Sequence, residues 1–218
     1  MYDAVVFDND GVLTRPTASA TVGAAVRRAY RDCGVEPTAE TVDAAVDGSP
    51  GRVASTCANH DIDREAFWRR REARAAAAQR RAMEQGAKPL YDDVATLSDL
   101  DVPLAVVSNN QHETVEHVLD VFGLDDRFET AYGREADARG IRRKKPSPYY
   151  LNRALTDLAE SDVENALYVG DSNVDLVAAK RAGIEAAFVR RPHRVDYSLA
   201  RQPTHELTSL SGLRRLVG

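Results

Sequence analysis

The chain has 218 residues and a net charge of −5; 43% of its residues are hydrophobic and 29% are charged. These proportions are ordinary for a globular protein and exclude the disordered and fibrous classes. The negative charge gives no bulk attraction to nucleic acid or anionic lipid, so we expect neither as a partner. No apolar run approaches the ~20 residues of a membrane-spanning helix, and the first residues lack the basic start of a signal peptide. We therefore expect a cytoplasmic protein, monomeric or homodimeric, in which Cys33 and Cys57 are reduced.

The first predicted strand, Ala4–Phe7, runs into an acidic turn and is followed by a long helical segment. Apolar residues recur there at helical spacing, Gly34 ends the first helix, and Thr38 caps the second. The predicted helices cover residues 22–33, 38–47, 53–59 and 64–85. Since no strand signal interrupts them, we predict a small helical domain, residues 15–86, inserted into a core formed by residues 1–14 and 87–218.

The last helix of this segment is rich in arginine, and Trp68 is expected to pack inside the segment. The aromatic residues that alternate with basic ones in nucleic-acid readers are missing here. We therefore expect its arginines, including Arg71, to form a solvated helix face.

Strands and helices alternate after the insertion. Apolar strand candidates cover residues 104–107, 128–132, 166–169 and 185–189, and helix candidates cover 115–122, 151–158 and 208–217. Short β-branched runs separated by helices indicate a buried parallel sheet. The predicted fold class is α/β: a Rossmann-like parallel sheet with helices on both faces and an inserted helical-bundle cap domain.

Three of the apolar runs end in polar signatures. These are Asp8-Asn9-Asp10-Gly11, Ser108-Asn109 and Gly170-Asp171-Ser172-Asn173-Val174-Asp175, with Lys145-Pro146 ahead of the last. Ligands of parallel sheets bind beyond the carboxyl ends of the strands, so the three signatures are expected to share one site. Carboxylates, a hydroxyl, an amide and an ammonium together suit a divalent metal and a phosphate.

The two acids at the end of the first strand can divide the work of phosphoryl transfer. We expect Asp8 to attack phosphorus and form an aspartyl-phosphate. Asp10 would protonate the departing alcohol and later deprotonate water.

The second signature and Lys145 supply the phosphate contacts. Ser108 and Asn109 are expected to open a helix, where a hydroxyl and free backbone N–H groups bind phosphate oxygens. Lys145 would place a compact positive charge between the nucleophile and the phosphate, which otherwise repel each other. Gly11 is grouped with Ser108 and Asn109 as a phosphate-binding residue.

Asp171 and Asp175 stand one helical turn apart, where like charges disfavour each other unless a cation joins them. With Asp8 close by, a Mg²⁺ ion held by few carboxylates, several waters and the substrate phosphate accounts for them. The five histidines show no metal-site spacing, and no dinucleotide or ATP motif occurs.

The chain resembles the haloacid dehalogenase-like hydrolase superfamily through four motifs. They are Phe7-Asp-Asn-Asp-Gly-Val-Leu13, Val107-Ser-Asn109, Lys145-Pro-Ser-Pro148 and Gly170-Asp-Ser-Asn-Val-Asp175. The helical insertion resembles the small cap of the phosphoglycolate phosphatase and β-phosphoglucomutase branch. Two departures touch no reacting group: Asn9 occupies a usually apolar position, and the 133–144 loop is long.

The resemblance implies a Mg²⁺-dependent phosphatase with Asp8 as nucleophile and Asp10 as acid and base. It implies metal ligands at Asp8, the backbone carbonyl of Asp10 and Asp171, with Asp175 in support. Dehalogenases lack the second acid, so Asp10 favours phosphate chemistry. The resemblance also makes 2-phosphoglycolate the leading substrate among small phosphorylated metabolites.

Other readings of the same residues remain. A β-phosphoglucomutase-like sugar phosphomutase would use the same motifs. A signalling receiver domain also phosphorylates an aspartate, but it is shorter and has no helical insertion. An inactive binding protein that kept the fold would be expected to lack a reacting residue, and none is missing here. Within the cap, Arg52 follows a Gly/Pro loop, and we expect its guanidinium to bind an anionic substrate group.

Overall fold

The computed structural model describes residues 1–159 and 163–217, and it contains one six-stranded parallel sheet. The strand order is β3-β2-β1-β4-β5-β6. The strands are β1 (Ala4–Phe7), β2 (Leu104–Gln111), β3 (Thr130–Arg134), β4 (Ala166–Gly170), β5 (Glu185–Val189) and β6 (His205–Leu207). The predicted α/β class is confirmed.

Eight α-helices accompany the sheet in the described ranges. They are α1 (Ser19–Arg31), α2 (Ala39–Val46), α3 (Pro50–Asn59), α4 (Arg64–Glu84), α5 (His112–Phe122), α6 (Ala138–Arg143), α7 (Tyr149–Ala159) and α8 (Asn173–Ala182). The first four form the inserted cap; the domain bounds 1–14, 15–86 and 87–218 stay a prediction. Among the described helices, none is long and apolar enough to cross a bilayer.

Strand β1 lies at the centre of the sheet, between β2 and β4. Its side chains alternate between two hydrophobic clusters: Val5 and Phe7 belong to one, Ala4 and Val6 to the other. All four are fully buried. Strand order reverses around β1, and open α/β sheets bind ligands at this point. The packing therefore fixes the position of Asp8, the next residue along the chain.

The cap has a hydrophobic cluster of its own. Phe67 and Trp68 on α4 are fully buried in it, as predicted for Trp68, and Tyr30 packs on Phe67 with ring centroids 4.2 Å apart. Ala138 and Ile141 of α6 belong to the same cluster. The segment between β3 and Lys145 thus packs against the cap.

The strand containing the second signature extends further than predicted. Ser108 and Asn109 lie within β2, which continues to Gln111, and α5 begins only at His112. The prediction that they open a helix is therefore wrong. The strand continues because Gln111 pairs with Arg134 of β3 after a register shift.

Several other element boundaries differ from the predicted ones. Strand β3 lies two residues later than predicted, and α6 occupies part of the loop predicted over residues 133–144. Helix α3 begins at Pro50, a residue that favours the first turn of a helix. Strand β6 was not predicted, and a short 3-10 helix, Leu210–Arg215, replaces the predicted closing helix.

Replacing Phe67 with alanine should destabilise the protein by roughly 3–5 kcal/mol, because the deletion leaves a cavity in the cap cluster. Trp68, the only tryptophan, stays in place as a fluorescent reporter of unfolding. Urea denaturation measures the change, with Val121→Ala on the exposed side of α5 as the control. Equal losses for the two variants would contradict this account of the cap core.

Candidate active site

The site centres on the Lys145 ammonium, which lies between two carboxylates. Its Nζ atom is 2.9 Å from Asp8 Oδ1 and 2.7 Å from Asp175 Oδ1. The side chain of Lys145 is 2% exposed, so water screens these charges little. The structure therefore brings together three residues from three of the predicted motifs.

Burial and charge act in opposite directions on this group. Burial raises the pKa of Asp8 to about 7, Lys145 opposes the rise, and Asp175 and Asp171 add to it. Burial alone would lower the pKa of Lys145, but the charges of Asp175 and Asp8 outweigh burial and raise it. Lys145 is therefore the fixed positive charge of the site.

Four hydrogen bonds hold Lys145 in place. The Asn109 side chain accepts a hydrogen bond from Lys145 N at 2.7 Å and donates one to Lys145 O at 3.1 Å. Lys145 Nζ donates to Tyr168 Oη at 2.6 Å and to Val107 O at 3.1 Å. Asn109 therefore positions Lys145 as well as lying at the predicted phosphate site.

Asp175 positions other groups. It is fully buried, and its Oδ2 accepts hydrogen bonds from the backbone N and hydroxyl of Ser172 in a capping box at the start of α8. Its Oδ1 faces Lys145. Because protein donors engage both oxygens, the arrangement favours the supporting role that the resemblance implies.

Asp171 lies at the end of β4 and contacts two residues from beyond β5. His193 Nε2 is 2.7 Å and Arg194 Nε is 2.9 Å from Asp171 Oδ2. Gly11 has φ +86°, and a Cβ atom added there would clash with this carboxylate. Gly11 thus permits the first acidic turn to approach Asp171.

The carboxylates fit a divalent metal ion. One oxygen from each of Asp8, Asp171 and Asp175 lies within 4.8 Å of the others, and all three residues are buried. An all-oxygen donor set is the kind that hard cations prefer. The Lys145 ammonium and the Arg194 guanidinium face these three carboxylates, so the ionised cluster keeps an excess negative charge that a cation would neutralise.

Asp10 points toward the hinge, the two places near Thr17 and Lys88 where the chain passes between core and cap. Lys88, which is 1% exposed, forms an ion pair with Asp10 Oδ1, and Thr17 donates to Asp10 Oδ2 at 3.2 Å. Lys88 also donates to Thr17 and to Gln79 Oε1, each at 2.9 Å. The expected acid and base is therefore bound to residues that join cap and core.

The remaining predicted site residues lie in different surroundings. Ser108 is 2% exposed, and its hydroxyl accepts from Asn110 N at 3.2 Å. Arg52 lies in the first turn of α3, with its side chain 55% exposed and its guanidinium 2.6 Å from Glu40. The structure does not bring Arg52 into contact with the carboxylates around Lys145, and its substrate role stays a prediction.

Sequence reasoning missed the residues that contact the motifs from elsewhere: Lys88, Thr17, Gln79, Tyr168, His193 and Arg194. Lys88 lies just after the predicted boundary between cap and core, and His193 follows a predicted strand, so position along the chain could have indicated both. The prediction of a fully solvated arginine face is wrong for Arg71. This residue is 4% exposed, because Arg71 Nη2 and Nε donate to Ala45 O at 3.0 and 3.2 Å.

Comparison with known proteins identifies the family. The sequence model of the haloacid dehalogenase-like hydrolase family matches residues 2–183. The chain belongs to this family, and the resemblance drawn from the four motifs is confirmed.

Two relatives align with part or most of the chain. A phosphoglycolate phosphatase of Neisseria meningitidis is 31% identical over 187 residues, which cover 83% of this chain and 77% of the relative. The pyrophosphatase PpaX of Halalkalibacterium halodurans is 31% identical over 130 residues, 59% of this chain and 58% of the relative.

A solved structure shows the same fold. CbbY from Rhodobacter sphaeroides, in complex with phosphate, aligns with a TM-score of 0.71 at 23% identity. The alignment covers 98% of this chain and 96% of CbbY. Similarity at this identity establishes the shared architecture of core and cap.

In chelator, Asp8→Asn should stabilise the protein at pH 8 by on the order of 1–3 kcal/mol. Because the pKa of Asp8 is raised from 3.8 to about 7, the folded protein holds a proton that the unfolded chain releases between these values. The stability from this proton is complete below pH 4 and is lost as pH rises through 7. Asparagine resembles the protonated acid, so its advantage should vanish near pH 4.

Urea denaturation at both pH values measures this difference. Asp99→Asn, which removes an exposed carboxylate paired with Arg214, is the control. An Asp8→Asn advantage of the same size at pH 4 and pH 8 would show that burial of the charge is not its cause.

Proposed function

We propose that this chain is a Mg²⁺-dependent phosphatase that hydrolyses small phosphomonoesters through an aspartyl-phosphate on Asp8. The observation that carries the proposal is the Lys145 ammonium, 2.9 Å from Asp8 and 2.7 Å from Asp175, where three carboxylates converge. An anionic nucleophile and an anionic phosphate repel each other, and a fixed ammonium beside the nucleophile reduces that repulsion. Family membership supports the same chemistry.

The reaction divides into two displacements at phosphorus. An Asp8 oxygen attacks phosphorus, the bond to the substrate alcohol breaks, and the alcohol oxygen takes a proton from Asp10. Water then attacks the aspartyl-phosphate, Asp10 takes a proton from that water, and phosphate leaves with Asp8 restored. Lys145, held by Asn109 and Tyr168, keeps its positive charge beside the reacting oxygens through both steps.

Proton transfer requires Asp10 to change partners. Its carboxylate is held by Lys88 and Thr17, and Asp8 and Lys145 are 8% and 3% exposed. Because Asp8 has little exposed surface, the proposed reaction also needs a movement that opens it to the substrate, and we assign this movement to the cap. Such a movement would also release Asp10 from Thr17, so that the acid could turn toward the leaving oxygen.

The metal would be held by Asp8, Asp171 and the backbone carbonyl of Asp10, with Asp175 as a support. When bound, Mg²⁺ neutralises phosphate charge and aligns the oxygens for in-line attack. The protein's contribution is to hold the carboxylates in place: Gly11 admits Asp171, and Ser172 fixes Asp175.

The leading substrate is 2-phosphoglycolate. The relative from Neisseria meningitidis supports this choice, since it covers most of the chain. A sugar phosphomutase, the alternative, would use the same residues and return the phosphoryl group to the substrate. A phosphatase should release inorganic phosphate from 2-phosphoglycolate and leave none on a sugar acceptor. A phosphomutase should instead keep the phosphoryl group on the sugar.

Activity should require a hard divalent cation. Chelator-treated protein should lose phosphatase activity and recover it with Mg²⁺, while Ca²⁺ should support it poorly because its larger, looser coordination misplaces the attacking oxygen. Phosphate release from a panel of phosphomonoesters, including β-glucose 1-phosphate, measures this dependence. Full activity in excess chelator would remove the basis of the metal assignment.

Substitution of the two acids should give different losses. Asp8→Asn should abolish the covalent intermediate and all turnover, whereas Asp10→Asn should reduce turnover by roughly 10²–10⁴-fold by removing proton transfer. A leaving group that needs no proton, such as p-nitrophenolate, should partly restore the Asp10 variant and never the Asp8 variant. Asp8→Asn protein that turns over at the wild-type rate would exclude the proposed nucleophile.

A further inference from the structure

Two arginines share one carboxylate where α4 of the cap meets the core, and Lys144 lies beside them. Lys144 Nζ donates to Asp47 O at 2.9 Å, and the adjacent carbonyl, Val46 O, accepts from Arg71 Nη2 at 3.3 Å. Glu72 accepts hydrogen bonds from Arg71 Nη1 at 2.9 Å and from Arg134 Nη2 at 2.7 Å. The pKa of Lys144 is lowered, first by burial and then by the charges of Arg134 and Arg71. Arg71, Arg134 and Lys144 are called the cationic cluster below.

The cationic cluster carries more positive charge than its partners balance. Arg71, Arg134 and Glu72 are each at most 5% exposed. The charges acting on Lys144 include the carboxylates of Asp47 and Glu72, so three cations face two carboxylates. Arg134 Nη1 is buried and has no hydrogen-bond partner among the described residues. Lys144 Nζ donates to a neutral group, the backbone carbonyl of Asp47, at 2.9 Å. Buried charge without a counter-charge is costly, and one further anion would relieve it.

The cluster adjoins the residues expected to bind phosphate. Arg134 Nε donates to Asn109 O at 2.9 Å, and the Asn109 side chain is bound to the backbone of Lys145. Lys144 is the residue immediately before Lys145. Asn109 therefore contacts both the cluster and Lys145, which makes the cluster a neighbour of the expected phosphate site.

We propose that the cationic cluster binds a second anionic group of the substrate, a carboxylate or a second phosphate, and so selects substrates that carry one. The proposal rests on the proposed phosphatase function and names the substrate class of the same site. It assigns the selection to Arg134, Lys144 and Arg71.

The two halves of the cluster belong to different parts of the molecule. Arg71 is fixed to the cap through Ala45 O, and Arg134 and Lys144 belong to the core. A bound anion would therefore contact cap and core together and favour their contact. Glu72 joins Arg71 to Arg134 in the absence of substrate, and it carries too little charge to neutralise both and Lys144.

Two matched esters test the selection. 2-Phosphoglycolate and 2-hydroxyethyl phosphate differ only in that a carboxylate replaces a hydroxymethyl group. Lys144→Met and Arg134→Gln should each lower kcat/KM for 2-phosphoglycolate by roughly 10–100-fold, the loss expected for one charged hydrogen bond. The loss for 2-hydroxyethyl phosphate should be much smaller, because this ester has no second anion.

Arg143→Met is the matched control. Arg143 is the neighbour of Lys144, has the same charge, and pairs with Glu135 at 3.1 Å. It should leave the preference between the two esters unchanged. Lys144→Met keeps the test decisive if Arg134→Gln does not fold, because Lys144 lies at the edge of the buried group.

Binding to Asp8→Asn protein in Mg²⁺, measured by calorimetry, separates the selection from turnover. That protein should bind 2-phosphoglycolate more tightly than 2-hydroxyethyl phosphate, which lacks the second anion, and adding Lys144→Met should remove the difference. Equal losses for both esters, or none for either, would overturn the proposal. If wild-type protein hydrolyses neither ester, the phosphatase function fails, and the binding preference alone decides whether the cluster is an anion site.

Discussion

The rest of the site depends on the balance between the positive charge of Lys145 and the negative charges of the carboxylates around it. Asp8, Asp171 and Asp175 are buried within a few ångströms of one another, and their mutual repulsion would be severe without a cation. Lys145 meets two of them directly. The residues that fix Lys145, chiefly Asn109 and Tyr168, are therefore as necessary to the arrangement as the charged groups themselves.

The sheet holds Asp8 rigidly, and in the proposed reaction the cap controls access to it. Asp8 follows a strand packed on both faces, so it has little freedom to approach a substrate. The cap contacts the core through polar groups such as Glu72, Gln79 and Thr17, whose partners include Gln111 and residues of the hinge. Water can replace hydrogen bonds of this kind at modest net cost, so these polar contacts suit the cap movement proposed above.

The sheet and the four motifs could be predicted because their signals are local. A short β-branched run followed by an acidic turn indicates a parallel strand and its ligand-binding end, whatever the rest of the chain does. Ser108 and Asn109 misled because both residues are common helix caps. The pairing of Gln111 with Arg134, which extends β2 past them, depends on a distant strand.

Contacts between distant residues were the main part that sequence reasoning could not supply. Arg71 has the same charge as its exposed neighbours on α4, and only the fold shows that it meets Ala45 and Glu72. Lys88 and His193 were similarly visible as basic residues without partners. Strand β6 has three residues, too few for a periodic signal.

Helix α6 connects the cap to Lys145. Ala138 and Ile141 share the hydrophobic cluster of the cap, and the helix ends at Arg143, two residues before Lys145. A cap that swings away must either expose these two side chains to water or pull the helix with it. In the second case the displacement of α6 reaches Lys145 through a single intervening residue, Lys144. Opening of the cap would then release the product and displace the Lys145 ammonium from Asp8 in one motion. With Lys145 displaced, the open form would be poorly arranged for a premature attack by water.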